Sequence, residues 1–167
     1  GLTPGILYHV RAYAVYIEEP TKSMYTYYGG DSTFTTLTTP TVTTTTITSI
    51  TSTTASGGGN VTADGGDSVT ARGVCWSTSA NPTTADSKTT NGSDTGAFTS
   101  SLTSLTPATL YHVRAYATNS IGTSYGGDSS FTTLTSPTVT TTTITSIAST
   151  TASSGGNVTS DGGANVT

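Results

Sequence analysis

The sequence predicts an all-β protein assembled from β-sandwich units of about seven strands. Three observations carry this reading. Of the 167 residues, 44 are Thr, a β-branched residue that packs well on a pleated sheet, and Val, Ile and Tyr accompany it. Gly-Gly, Asp-Gly and Asn-Gly steps recur at short intervals, as turns between short strands require. The chain also repeats itself over 97 residues, a period too long for a solenoid coil and suited to a sandwich domain. No segment shows a 3.6-residue apolar period, so helix is not an organising element. A Thr/Ser/Gly bias also occurs in disordered and mucin-like stalks. The small net charge of −4 and the strand-forming side chains favour the folded reading.

The repeat sets the organisation. Leu2-Thr3-Pro4 and Tyr8-His9-Val10-Arg11-Ala12-Tyr13-Ala14 return as Leu105-Thr106-Pro107 and Tyr111-His112-Val113-Arg114-Ala115-Tyr116-Ala117, 103 residues on. Gly29-Gly30-Asp31-Ser32 returns as Gly126-Gly127-Asp128-Ser129, and Asn60-Val61-Thr62 as Asn157-Val158-Thr159, each 97 residues on. The difference of six is an insertion in the first copy, where 15–28 replaces the shorter 118–125. One complete unit therefore spans 41–137. Residues 1–40 read as the C-terminal part of a preceding unit and 138–167 as the N-terminal part of a following one. The expectation is a window on a tandem array of alternating long and short units, or a subunit completed by its neighbour's strands.

Each element of the complete unit has a local reason. Pro40 and Pro137 open their units, since a first strand tolerates a missing donor. A Thr-rich strand covers 41–47. Gly57-Gly58-Gly59 reads as flexible chain before a short strand at 60–63. Asp64-Gly65-Gly66-Asp67 supplies the positive φ of a tight hairpin turn. The next strand, 69–77, carries Cys75 and Trp76. Asn81-Pro82 and Asn91-Gly92 mark turns, and 97–102 is a strand. In 111–117, Tyr111, Val113, Ala115 and Ala117 alternate on the core face, and His112, Arg114 and Tyr116 form an outward, solvated row. A strand at 130–134 closes the unit.

Residues 105–119, from Leu105-Thr106-Pro107 through Tyr111-His112-Val113-Arg114-Ala115-Tyr116-Ala117, resemble the penultimate-strand signature of fibronectin type III domains. With Gly73-Val74-Cys75-Trp76 and Asn81-Pro82-Thr83, the unit is similar to tandem fibronectin-like repeats of large secreted bacterial surface proteins. The resemblance implies an Ig-like sandwich and a tyrosine corner at Tyr111 and Tyr8, where a phenol pins upstream backbone. One departure stands out: the family places a Trp on the second strand, whereas Trp76 falls on the third. Trp76, Val113 and Ala115 are expected in the core.

Charge and motif exclude several functions. Only 8% of residues are charged, against about 25% in an average domain, and the five Lys and Arg are scattered. Nucleic acid and anionic membrane surfaces need clustered cations, and no apolar run reaches the length of a membrane span. No phosphate loop, nucleophile elbow or zinc-protease motif is present, so neither an enzyme nor a cofactor is expected. Cys75, the single cysteine, reads as a buried thiol. His9 and His112 lack neighbouring ligands in sequence, and the Asp residues of the Gly-rich turns are expected to cap their own backbone.

Few charges leave solubility to hydroxyls or to attached sugars. Asn60, Asn91, Asn157 and Asn165 match the N-glycosylation pattern. By resemblance, Ser32 and Ser68, each following Asp, fit a rule for O-linked sugars. The insertion concentrates Tyr16, Tyr25, Tyr27 and Tyr28, which suits an interface with the next unit, a covered loop or a sugar surface. The expected function is structural: an extracellular filament, fibril or surface stalk. Its partners would be copies of the chain or adjacent units, with covalent glycans. The alternative is an adhesin, carbohydrate-binding or spacer module of a large secreted protein.

Overall fold

The computed structural model describes residues 1–164 and 166. Residues 1–40 hold β1 (Leu7–Val10), β2 (Tyr13–Glu18), β3 (Ser23–Tyr28) and β4 (Ser32–Thr35). β1 pairs with β4 and β2 with β3, both antiparallel. The central unit comprises β5 (Thr41–Thr44), β6 (Ala55–Ala63), β7 (Ala71–Ser77), β8 (Ser87–Lys88), β9 (Gly96–Leu102), β10 (Leu110–Thr118), β11 (Thr123–Tyr125) and β12 (Ser129–Thr132). Last come β13 (Thr138–Thr141) and β14 (Gly156–Ser160), paired with each other.

The central unit is a two-layer, fibronectin type III-like β-sandwich. One sheet has the order β5-β6-β9, and the other runs β11-β10-β7-β8, with β12 also on β10. β11 and β12 line the same edge of β10, at Tyr116–Thr118 and Leu110–Val113 respectively, so they act as one broken strand and the unit has seven. Val42, Val61, Val74, Phe98, Leu102, Leu105, Val113, Ala115, Ala117 and Phe131 fill the space between the sheets.

Gly57-Gly58-Gly59 is not flexible chain. It lies buried in the middle of β6, the central strand of its sheet. A Cβ at Gly59 would come within 2.5 Å of the Ala115 Cβ on the facing sheet. Glycine opposite alanine lets the sheets close up, which is how so few large apolar residues make a core.

Other boundaries shift. Pairing in β5 stops at Thr44, although Ile47 still reaches the core. The Asp64–Asp67 segment has positive φ at Gly65 and Gly66, as expected, but it carries the chain between sheets and does not close a hairpin. The outward face of β10 is not a solvated row. Tyr116 is buried, and the Thr89 carbonyl accepts its hydroxyl at 2.7 Å.

The flanking pieces place the same residue types in the same pairings without a second layer. Val113 and Phe131 are 0% and 7% exposed, whereas their counterparts Val10 and Phe34 are 56% and 44% exposed. Val42 and Val61 at 7% and 1% compare with Val139 and Val158 at 62% and 46%. The apolar pattern of each strand is therefore written for a facing sheet.

Candidate functional site at the junctions between units

Two junctions lie along the chain, and they are built alike. The segment leaving the first unit runs past the Asp64-Gly65-Gly66 turn of the central unit. The Thr38 N–H donates to the Gly65 carbonyl at 2.9 Å. The segment leaving the central unit meets Asp161-Gly162-Gly163, and the Thr135 N–H donates to the Gly162 carbonyl at 3.0 Å. Both glycines need φ near +75°, at +79° and +73°. A Cβ on either would also overlap a carbonyl oxygen, that of Thr38 or of Thr135. Leu37 covers Gly66 and Leu134 covers Gly163, each with its Cδ2 3.0 Å from where a Cβ would sit. The Asp side chains brace the turns: Asp64 accepts the Gly66 N–H at 2.8 Å, and Asp161 the Gly163 N–H at 2.9 Å.

Asn119 locks the first junction. It is 4% exposed in the turn between β10 and β11. Its Nδ2 donates to the Thr38 carbonyl at 2.7 Å and to the Asp64 carbonyl at 2.8 Å. Its Oδ1 accepts the N–H groups of Ile121 and Gly122. One amide thus ties the incoming segment to two turns of the central unit. Ser124 Oγ donates to the Pro40 carbonyl beside it. Asp67 accepts the Ser120 N–H at 2.9 Å, and the Ser120 backbone and hydroxyl hold its carboxyl below the usual carboxylate value. Sequence reasoning missed Asn119. Its signal was indirect: Leu37-Thr38 and Asp64-Gly65-Gly66 both return 97 residues on, as Leu134-Thr135 and Asp161-Gly162-Gly163.

Away from the junctions, the two Tyr-His-x-Arg strands carry a common constellation. The Tyr111 hydroxyl accepts the Thr106 N–H at 3.1 Å, and the Tyr8 hydroxyl accepts the Thr3 N–H at 2.8 Å, which is the tyrosine-corner geometry. Phe131 and Phe34 stack on these rings at 5.9 and 5.8 Å. His112 Nδ1 lies 2.8 Å from Asp128, and His9 Nδ1 lies 2.6 Å from Asp31. These two Asp residues therefore bond His, not their own turns, because the broken edge strand brings each beside its histidine. Asp128 also accepts the Asn81 N–H at 3.3 Å, so the pair pins the 78–86 loop. Arg114 lies over Tyr125 at 4.8 Å and donates to the Gly126 carbonyl; Arg11 repeats this with Tyr28 and Gly29. No His, Cys, Asp and Glu group of three with metal-binding proximity occurs among the described residues.

Other expected residues sort as follows. Val113 and Ala115 are fully buried. Trp76 is not inside the core but only half-buried against it. With Tyr111, Asp86, Lys88 and Ser104 it borders an open hollow of about 560 Å³. Cys75 is buried beneath the Pro82 and Arg114 carbonyls, and burial pushes its thiol up to about 11, so it carries no thiolate at neutral pH.

Among the glycosylation candidates, Asn157, Ser32 and Ser68 are exposed, and Asn60 is half-buried on β6. Asn91 does not present a free amide: its Nδ2 donates to the Thr99 carbonyl at 2.7 Å, and its Oδ1 accepts from Thr89 and Ser100. Asn165 lies outside the described residues. The tyrosine insertion is neither loop nor covered: β2 and β3 form a hairpin whose residues are all exposed.

No family model matches the chain, and no curated protein sequence matches it significantly. Among solved structures it is similar to the sensor domain of the anti-sigma factor RsgI4 of Pseudobacteroides cellulosolvens, at 16% identity and a TM-score of 0.42, over 57% of this chain and 95% of that one. It is also similar to the FN1–FN3 domains of chicken CNTN1, at 19% identity and 0.45, over 79% of this chain and 44% of that one. Domains A168–A170 of titin match at 14% and 0.40, over 77% and 54%. The chain thus spans about half the length of the two multidomain structures. The sandwich rests on the strand order itself.

Proposed function

We propose that the chain is a structural segment of an extracellular or cell-surface array of tandem fibronectin-like sandwiches, as in the secreted bacterial repeats its sequence resembles. The single observation that carries this reading is the junction built twice from the same residues 97 apart, Thr38 on Gly65 and Thr135 on Gly162. A contact repeated at a fixed offset gives each unit a fixed pose on the next, and head-to-tail contacts that do not close produce an open filament. The units at 1–40, 41–137 and 138–167 are then successive members of the array. The reading assigns the chain no catalysis; the His112–Asp128 pair serves to fasten a loop. Exposed Ser32, Ser68 and Asn157 are the places where covalent glycans would stand clear of the sandwich.

Electron microscopy of the native material tests this. Nine-residue strands at about 3.3 Å per residue set an axial rise of about 30 Å per unit. Beaded rods with a constant repeat near that value are expected, and loose chains of irregular spacing would refute the reading. A binding module is the second reading, and the hollow beside Trp76 favours it. The chain has one Trp, so its fluorescence would report a saccharide entering there.

A further inference from the structure

The hairpin of the first unit continues a register that the central unit stops. Tyr13 pairs with Tyr28, Ala14 with Tyr27 and Val15 with Thr26, as Tyr116 pairs with Tyr125, Ala117 with Ser124 and Thr118 with Thr123. The six inserted residues then add three rungs, Tyr16 with Tyr25, Ile17 with Met24 and Glu18 with Ser23. At about 3.4 Å per rung, the hairpin projects about 10 Å further than its counterpart.

The added face is not arbitrary. Successive residues alternate faces and opposed residues share one, so Ala14, Tyr16, Tyr25 and Tyr27 lie together. Their side corresponds to buried Ala117 and to Ser124. In the central unit this side holds the incoming segment: Ser124 donates to the Pro40 carbonyl and Asn119 to the Thr38 carbonyl. By position, Tyr16 replaces Asn119 and Tyr27 replaces Ser124. The three tyrosines are 57%, 45% and 62% exposed.

We infer that Tyr16, Tyr25 and Tyr27 form the docking face for an extended Thr-Pro segment of another unit of this kind, one like Leu37-Thr38-Thr39-Pro40 or Leu134-Thr135-Ser136-Pro137. The occupant follows from continuity with the junction already formed on the equivalent face of the central unit. The chemistry suits it: the proline ring and threonine methyl groups pack on phenol rings, and tyrosine hydroxyls donate to carbonyls of the kind that Asn119 and Ser124 serve in the central unit. The array then has two kinds of junction, one closed by an asparagine and one by a tyrosine face. This rests on the tandem-array reading and names its partner.

The test is a titration of the isotope-labelled 167-residue chain with a peptide of the 134–141 sequence, followed by amide chemical shifts. Saturable shifts confined to rows 14–18 and 23–27 are expected. They should weaken at least about fivefold in Tyr16→Ser/Tyr27→Ser and with a Pro137→Ala peptide, a loss of about 1 kcal/mol. Met24→Ser, on the opposite face, keeps the hairpin's amide pattern and the binding. No saturable shift up to about 10 mM peptide, above the effective concentration a tandem linker provides, overturns the inference. So does equal binding by the double variant. If the peptide fails to bind while Asn119→Ala loosens the first junction, only the tyrosine assignment falls. If Asn119→Ala leaves that junction unchanged, the array reading falls with it.

Discussion

Gly65 combines a left-handed backbone with a carbonyl oxygen lying where a Cβ would be. Gly65→Ala should therefore destabilise the central unit by about 2 kcal/mol in urea denaturation, from the left-handed strain and the displaced Thr38 carbonyl together. An unchanged midpoint would show that the turn relaxes freely. Tyr111→Phe removes one hydrogen bond to the exposed Thr106 N–H, which water then replaces, so a loss of about 1 kcal/mol is expected by the same measurement. These two residues differ in how far they can be read from sequence. The tyrosine corner has a local signature, Leu-Thr-Pro followed by Tyr, and both partners lie within it. The junction glycine meets a carbonyl 27 residues away, and no local pattern announces that. Trp76 is expected in the core, but it borders the open hollow and is only half-buried, which depends on segments distant in sequence such as Ser104 and Tyr111.

Strand identity was legible wherever apolar and polar residues alternate, as in β10, and illegible where small residues are demanded by a facing sheet. β6 shows the difference. Its glycines read as flexible chain, yet Gly59 is required by the approach of Ala115. Gly59→Ala should force the sheets apart and cost about 2 kcal/mol, measured by thermal or urea unfolding. A neutral effect would mean that the sheets are not closely packed at that level. The β2–β3 hairpin was half legible. An insertion of six residues is an even number, so it can lengthen a hairpin by three rungs without turning any side chain to the wrong face. The tyrosine count pointed to a surface with a purpose, but only the register shows which face extends.

At the scale of the whole molecule, the structure places matching contacts at the two positions where the 97-residue repeat sets its boundaries. Asp67 gives the junction a dependence on acidity. Its carboxylate form accepts from Ser120, and its folded value lies below the ordinary one. The contribution is therefore complete above about pH 4 and is lost as pH falls through the lower folded value. The Ser120 amide shift, followed by pH titration, should move with Asp67 below pH 4; a flat response would remove Asp67 from the junction.

The claim that consecutive units hold a fixed pose is tested most directly by a distance distribution between spin labels on exposed cysteines at Thr33 and Ser93, one in each unit. Buried Cys75, with its raised thiol value, stays unlabelled. One narrow distribution is expected, broadened by Asn119→Ala through loss of the contact to the Thr38 carbonyl. A broad distribution in the unaltered junction, or one that Asn119→Ala leaves as it was, would contradict the claim.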